Sequence, residues 1–268
     1  QVGDCQLVLA VQGNYQFGDN DLMEVIEQIV DHQVSFFGGA PRSRYLFLVN
    51  PHPDQGDPRA LHYFGLHFDS SMIVLLDPRT DRVRLQREPA SLCAHEFFHN
   101  WLGEQLAQDD YRMNWFVEGV TTWYAYRTRL ATRMLDMGSY AEQLASRYRA
   151  QYLDHGLRGS MSVAEAGGRV LQDPNVTSLL YSGGLFVAVA LNAEIDAVTR
   201  HEAGLDEVVR NMVGRAERDP EYRLTRTTLE AELKTVTGRD FSAWLERHVY
   251  GVESLPLPAY VTTAPVSR

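Results

Sequence analysis

The chain has 268 residues, 44% hydrophobic and 22% charged, with a formal net charge of −10, the size of one large or two modest globular domains. No basic stripe is present to neutralise phosphates, which argues against nucleic acid as a partner, and Lys234 is the only lysine, leaving almost no room for Schiff-base chemistry. Two cysteines, Cys5 and Cys93, do not make a disulfide framework, and no run is expected to reach the ~20 apolar residues of a membrane span.

The opening "QVGDCQLVLAVQG" has neither an initiator Met nor a basic leader. It reads as the cut end of a longer protein, with any signal peptide outside it, so no compartment is assigned. Within it, residues 4–12 are dominated by Val and Leu and predict a strand. Leu22, Val25, Ile26, Ile29 and Val30 then recur at helical spacing after Asn20 or Asp21 as N-cap. "SRYLFLV" and "SMIVLLD" predict two further strands, and residues 50–69 between them, rich in Pro, Gly and Asp, read as loop or edge.

From Pro89 the pattern turns helical, with Pro89 suited to a first turn and Gly103 to the position just past the end. A second helix fits residues 114–135, closed near Gly138. Others fit 139–153, 182–199, 204–216, and 225–238 leading into 240–251. The expected organisation is a single catalytic domain over residues 1–268, with a sheet lobe to about 88 and a helical lobe from about 89.

The stretch "SLCAHEFFHNWLGE" sets two histidines and a glutamate among Phe, Trp and Leu. Charged or half-charged groups on a buried face are costly unless compensated, so His95, Glu96 and His99 are either satisfied core residues or share a ligand. Residues four apart lie on one helical face, one turn above the other. His95 and His99 can therefore converge on one ion, with Glu96 placed to serve the water it activates. A bare H-E-x-x-H also arises by chance, and what decides is a third ligand. Glu118, separated from His99 by eighteen residues and flanked by Trp115, Phe116 and Val117, supplies it, since a carboxylate among aromatics is expensive unless paired or coordinated.

Competing chemistries fare worse. Cys93 is two residues from His95, on roughly the opposite side of the helix, and reads as a small buried residue. No G-x-S-x-G elbow or phosphate-cradling glycine loop is present. Phe97, Phe98, Trp101, Trp123 and Tyr124 read as core packing. Thr121 and Thr122 are either hydrogen-bonding supports of the site or helix-surface threonines.

With "HEFFHNW", "WFVEGVTTWY" and "YSGGLFVAVAL", the chain resembles the gluzincin metallopeptidases. Within them it is most similar to the catalytic domain of the glycyl aminopeptidase family, whose full-length members add an N-terminal β domain and a C-terminal PDZ domain; these flanking domains are expected to lie outside this chain. The resemblance implies an α+β, thermolysin-like zincin domain with an N-terminal mixed sheet lobe and a C-terminal helical lobe. It implies one zinc ion per chain on His95, His99 and Glu118, and Glu96 as general base. It also points to Tyr181, which opens "YSGG" where related enzymes have Y-x-K-G, as oxyanion donor, with Gly183 at the lysine position. A phenol, with its pKa near 10, stays protonated at neutral pH and can donate. Where such aminopeptidases carry G-L-E-H to hold the substrate amine, this chain has "GLHFDSS", with His67 at the glutamate position and Asp69 as a possible substitute.

The expected function is zinc-dependent peptide-bond hydrolysis by metal-activated water, as an aminopeptidase favouring small N-terminal residues and with peptide as the partner. A peptidase of other specificity with an altered amine anchor, and a non-catalytic zinc-containing peptide-binding domain, are the alternatives. An epoxide hydrolase activity also occurs among gluzincins. The sequence gives no oligomeric state.

Overall fold

Four strands, β1 (Gln6–Val11), β2 (Arg44–Pro51), β3 (Tyr63–Phe68) and β4 (Ser71–Leu76), form one sheet in the order β1-β2-β4-β3. The computed structural model describes residues 1–53 and 61–262; positions 54–60 of the stretch read as loop or edge lie outside the described residues. The first three neighbours are parallel, and β3 runs antiparallel to β4 at the edge. β2 alternates, with Tyr45, Phe47 and Val49 buried, and β4 does the same with Met72, Val74 and Leu76, the period of two that gives a sheet one core face. β3 is the element the sequence reading left open between loop and edge. Its Pro- and Gly-rich approach hid six residues that pair fully with β4, from Tyr63 opposite Leu76 to Phe68 opposite Ser71.

The helix α1 (Asp19–Phe37) buries the five apolar residues expected of it. Its N-cap is Gly18 rather than Asn20 or Asp21, because the Asp21 carboxylate accepts the Gly18 N–H at 2.9 Å and so caps from inside the first turn. After the short α2 (Arg82–Leu85) comes α3 (Glu88–Phe98), with Pro89 in its first turn as expected. It stops earlier than Gly103 implied. His99 is the C-cap, still right-handed helical, and the Phe97 carbonyl at the helix end accepts both the Asn100 side chain at 2.7 Å and the Asn100 backbone N–H at 3.2 Å. Gly103 serves the following turn with φ 124°.

The described residues form two compact units: those of Gln1–Trp101 with Tyr124–Met137, and those of Leu102–Trp123 with the described part of Gly138–Arg268. In the first, α3 packs on the core face of the sheet, with the Tyr45 and Phe97 rings edge-to-face at 4.9 Å. Gln33 of α1 donates to the Ala94 carbonyl at 2.8 Å, which ties the middle of α3 to its neighbour from a buried position.

The residues expected as a second helix divide in two: a wide π-helical segment Trp115–Val120, continuous with α4 (Thr121–Ala131). α4 ends before Arg133, which is left-handed at φ 61°, and Gly138 lies inside α5 (Met137–Arg147) rather than closing the helix before it. In the second unit α5 continues as a π-helical Tyr148–Leu153. It is followed by α6 (Val163–Arg169), which had no sequence expectation, α7 (Thr177–Val198), α8 (Leu205–Arg218) and α9 (Arg226–Thr237). α10 (Ser242–Leu245) with its π-helical extension and the short α11 (Ala259–Thr262) close the described chain. Contrary to expectation, the stretch Pro174–Val198 is long and apolar enough to cross a membrane, yet 72% of its apolar window is buried inside the fold, the condition of a core helix.

Candidate metal centre

His95 and His99 stand one turn apart on α3 and its C-cap, and their Nε2 atoms approach to 3.0 Å with the rings at 87° to each other. Two nitrogens at about 2.05 Å from a tetrahedral ion lie roughly 3.3 Å apart. The imidazoles are thus aimed at a common point at close to the required spacing. Glu118, in the π-helical Trp115–Val120 segment, provides the third donor: ligand atoms of His95, His99 and Glu118 all lie within 4.8 Å of one another. A mixed imidazole–carboxylate set of this kind fits a zinc site with an open fourth position.

Glu96 is 8% exposed. It lies against the edge strand at Gly65, where an added Cβ would sit 2.8 Å from Glu96 Oε1 and 2.8 Å from Leu92 Cδ1. Only a residue without a side chain lets β3 approach this carboxylate so closely. The role of Gly65 was not foreseen; the sequence signal was a lone glycine inside an alternating strand, which often marks such an approach.

His67 pairs with Met72, a buried residue of β4, and paired residues share a face, so His67 lies on the α3 side of β3. Its ring is 6.0 Å from that of His99, and its Nδ1 is 2.9 Å from the Tyr45 hydroxyl, which also donates to the Ser71 carbonyl at 2.9 Å. Burial, followed by the neighbouring His99, pulls the imidazole down to about 4. Asp69 lies past the end of β3, with its side chain 78% exposed and ion-paired to Arg42, whose Nε also donates to the Asp69 carbonyl at 3.0 Å.

Tyr181 begins the second turn of α7 and is half-buried. At Gly183, the position of the lysine in related enzymes, a Cβ would meet Val163 Cγ2 at 2.9 Å, so the space a longer side chain would enter is filled. Thr122 donates to the Glu118 carbonyl at 2.7 Å, an intrahelical bond, whereas the buried Thr121 hydroxyl has no hydrogen-bond partner. Cys93 is 2% exposed, and burial pushes its thiol up to about 12, which leaves it inert.

A separate cavity of about 750 Å³ in the second unit is lined by Arg112, Glu165, Arg169, Arg226, Glu246 and Tyr250 among others, and by none of the residues above. Its arginines are paired with Asp110, Glu165 and Glu246, so it offers no unbalanced charge to a ligand.

Residues 24–211 match the Peptidase family M1 domain. The fold is similar to an aminopeptidase N family protein from Idiomarina loihiensis, with TM-score 0.82 and 20% identity over 97% of this chain and 47% of that one. It is also similar to an M1 zinc metallopeptidase from Deinococcus radiodurans, with TM-score 0.61 and 16% identity over 95% and 49%. A yeast LTA4 hydrolase matches with TM-score 0.60 and 16% identity over 95% and 39%. The chain therefore spans half or less of the length of these structures. No curated protein matches it.

Proposed function

Since the chain belongs to peptidase family M1, we propose that it hydrolyses peptide bonds with one zinc ion on His95, His99 and Glu118, as an aminopeptidase. The observation that carries this is the convergence of three donor groups within 4.8 Å, with the buried Glu96 beside them on α3. Zinc, when bound, supplies a Lewis acid that activates water and polarises the scissile carbonyl. Glu96 takes the proton of the attacking water and delivers it to the leaving amine, held against β3 by the gap at Gly65. Tyr181 donates to the oxygen that becomes anionic, where a hydrogen bond acts on the transition state more than on the substrate. Residues 1–268 act in this reading as one catalytic domain. The narrower resemblance to glycyl aminopeptidases makes small N-terminal residues the proposed preference.

A second reading, a peptidase with a different amine anchor, is favoured by one observation. The carboxylate at the end of β3, Asp69, is engaged by Arg42, and His67 offers an imidazole where a carboxylate would hold the substrate amine. Zinc-loaded protein assayed on free-amine and N-acetylated peptides of varied first residue tests both. An aminopeptidase cleaves Gly- and Ala-initiated free peptides, loses that activity on chelation and rejects the acetylated forms. Equal turnover of acetylated peptides establishes the second reading, and zinc-replete protein that binds peptides but cleaves none refutes both.

A further inference from the structure

Two glycines far apart in sequence bring two functional segments into backbone contact. An ideal Cβ on Gly119 would lie 2.3 Å from both C and Cα of Gly184, and one on Gly184 would lie 2.5 Å from the Trp115 carbonyl oxygen and 2.8 Å from Gly119 Cα. Neither glycine has a positive φ, so the requirement is for proximity and not for an unusual conformation. Non-bonded heavy atoms are at rest at about 3.5–4.0 Å, so even a methyl group would force the π-helical Trp115–Val120 segment and α7 apart by roughly 1 Å. The surroundings cannot absorb this: Trp115, Phe116, Leu185 and Phe186 are each 0% exposed, and a close-packed interior transmits such a displacement.

We propose that the Gly119–Gly184 contact is the positioning device that holds the metal ligand Glu118 and the oxyanion donor Tyr181 in register, an inference that rests on the roles proposed above for those two residues. Glu118 immediately precedes Gly119, and Tyr181 precedes Gly184 by three residues, one turn of α7. Independent contacts fix the other sides of α7 at the same level. Ser182 Oγ accepts from Arg147 Nε at 2.9 Å and donates to Gln151 Oε1 at 2.8 Å, and Gly183 lies against Val163. α7 is thus clamped between the α5–Tyr152 region and the Glu118 segment, so separation at the glycines moves Glu118, Tyr181 or both. The π-helical form of residues 115–120 fits this role, since such wide turns are often found at functional sites.

The test is Gly184→Ala, Gly119→Ala and the double variant, with Gly251→Ala as control. A Cβ at Gly251 is also crowded, 2.7 Å from the Glu246 carbonyl oxygen, but its nearest atoms belong to Glu246 and Arg247 and to neither segment. Zinc dissociation constants by chelator competition, kcat and KM per bound zinc, and Tm are measured on each. The expected result is at least tenfold weaker zinc binding and a fall in kcat of about 100-fold at nearly constant KM in both single variants. The double variant should lose less than the product of the two, because either methyl opens the same gap. Gly251→Ala should lower Tm and leave zinc affinity and kcat in place. Folded glycine variants with wild-type zinc affinity and kcat overturn the proposal, as does a loss equal to that of the control. Should both single variants fail to fold, hydrogen exchange of the wild type decides. Zinc should protect the amides of Tyr181–Leu185 as well as those around Glu118, and unchanged exchange in α7 overturns the proposal. Wild-type protein that binds no zinc instead removes the proposed function itself.

Discussion

Gly65→Ala perturbs Glu96, the proposed general base, without touching a proposed metal ligand. The three atoms nearest the added Cβ belong to Glu96 and Leu92: Glu96 Oε1 and Leu92 Cδ1 at 2.8 Å, and Glu96 Cγ at 2.9 Å. Ordinary contact begins near 3.5 Å, so the glutamate must retreat by roughly 0.6–0.7 Å or change rotamer. Because its Cγ is hit as well as its carboxylate, the whole side chain has to move. A general base works within about 2.6–3.2 Å of the proton it takes, and a misplacement of about 1 Å costs on the order of 100-fold. The expected loss in kcat is therefore about 10–100-fold, roughly 1.4–2.7 kcal/mol, with zinc content unchanged. Overpacking strain of about 1–3 kcal/mol is partly offset by the lower unfolded-state entropy of alanine, so the protein should remain folded at 25 °C. Steady-state kinetics on a good peptide, zinc stoichiometry and Tm are the readouts. Glu96→Gln provides the reference: it should keep zinc and lose nearly all turnover, and adding Gly65→Ala to it should cost little more. Wild-type kcat in zinc-replete Gly65→Ala, or a full independent loss on the Glu96→Gln background, would refute the reasoning.

His95→Ala, His99→Ala and Glu118→Ala should each weaken zinc binding by about 100-fold or more, read by metal analysis after dialysis; stoichiometric zinc in Glu118→Ala removes it from the ligand set. Tyr181→Phe should keep zinc content and Tm and lower kcat by about 10²–10³ with little change in KM, and unchanged kcat makes Tyr181 a packing residue. Asp77, fully buried, is held down to about 2 from 3.8, chiefly by the hydrogen bond from the Arg79 side chain, whose guanidinium reaches its Oδ2 at 2.6 Å. A folded pKa below the unfolded one contributes stability above about pH 4, lost as the pH falls towards 2, here by at most about 2 kcal/mol because Arg79 is partly solvated. Denaturant titrations between pH 4 and pH 2 should show this slope in the wild type and a flatter one in Asp77→Asn; equal slopes would locate the acid sensitivity elsewhere.

Local periodicity carried a good part of this protein. The five apolar residues of α1 and the strand character of β2 and β4 were readable because each depends only on a local run of residue types, whereas which face of each strand is buried was not. The one-turn offset of His95 and His99 was readable too, and the spacing to Glu118 picked out a third donor that lies within 4.8 Å of the pair. Element ends were less readable, since they turn on caps the pattern does not encode: Asp21 reaching back to Gly18, Asn100 reaching to Phe97, Arg133 in a left-handed turn. What only the tertiary structure decided are the distances between segments remote in sequence. The antiparallel seating of β3 on β4 brings Gly65 against Glu96 and His67 beside His99, and the strand end lets Arg42 take Asp69. The meeting of Gly119 with Gly184 is of the same kind. Composition and spacing name the groups able to do the chemistry; how closely their backbones approach is fixed by close packing, which is a property of the whole core and of no single stretch.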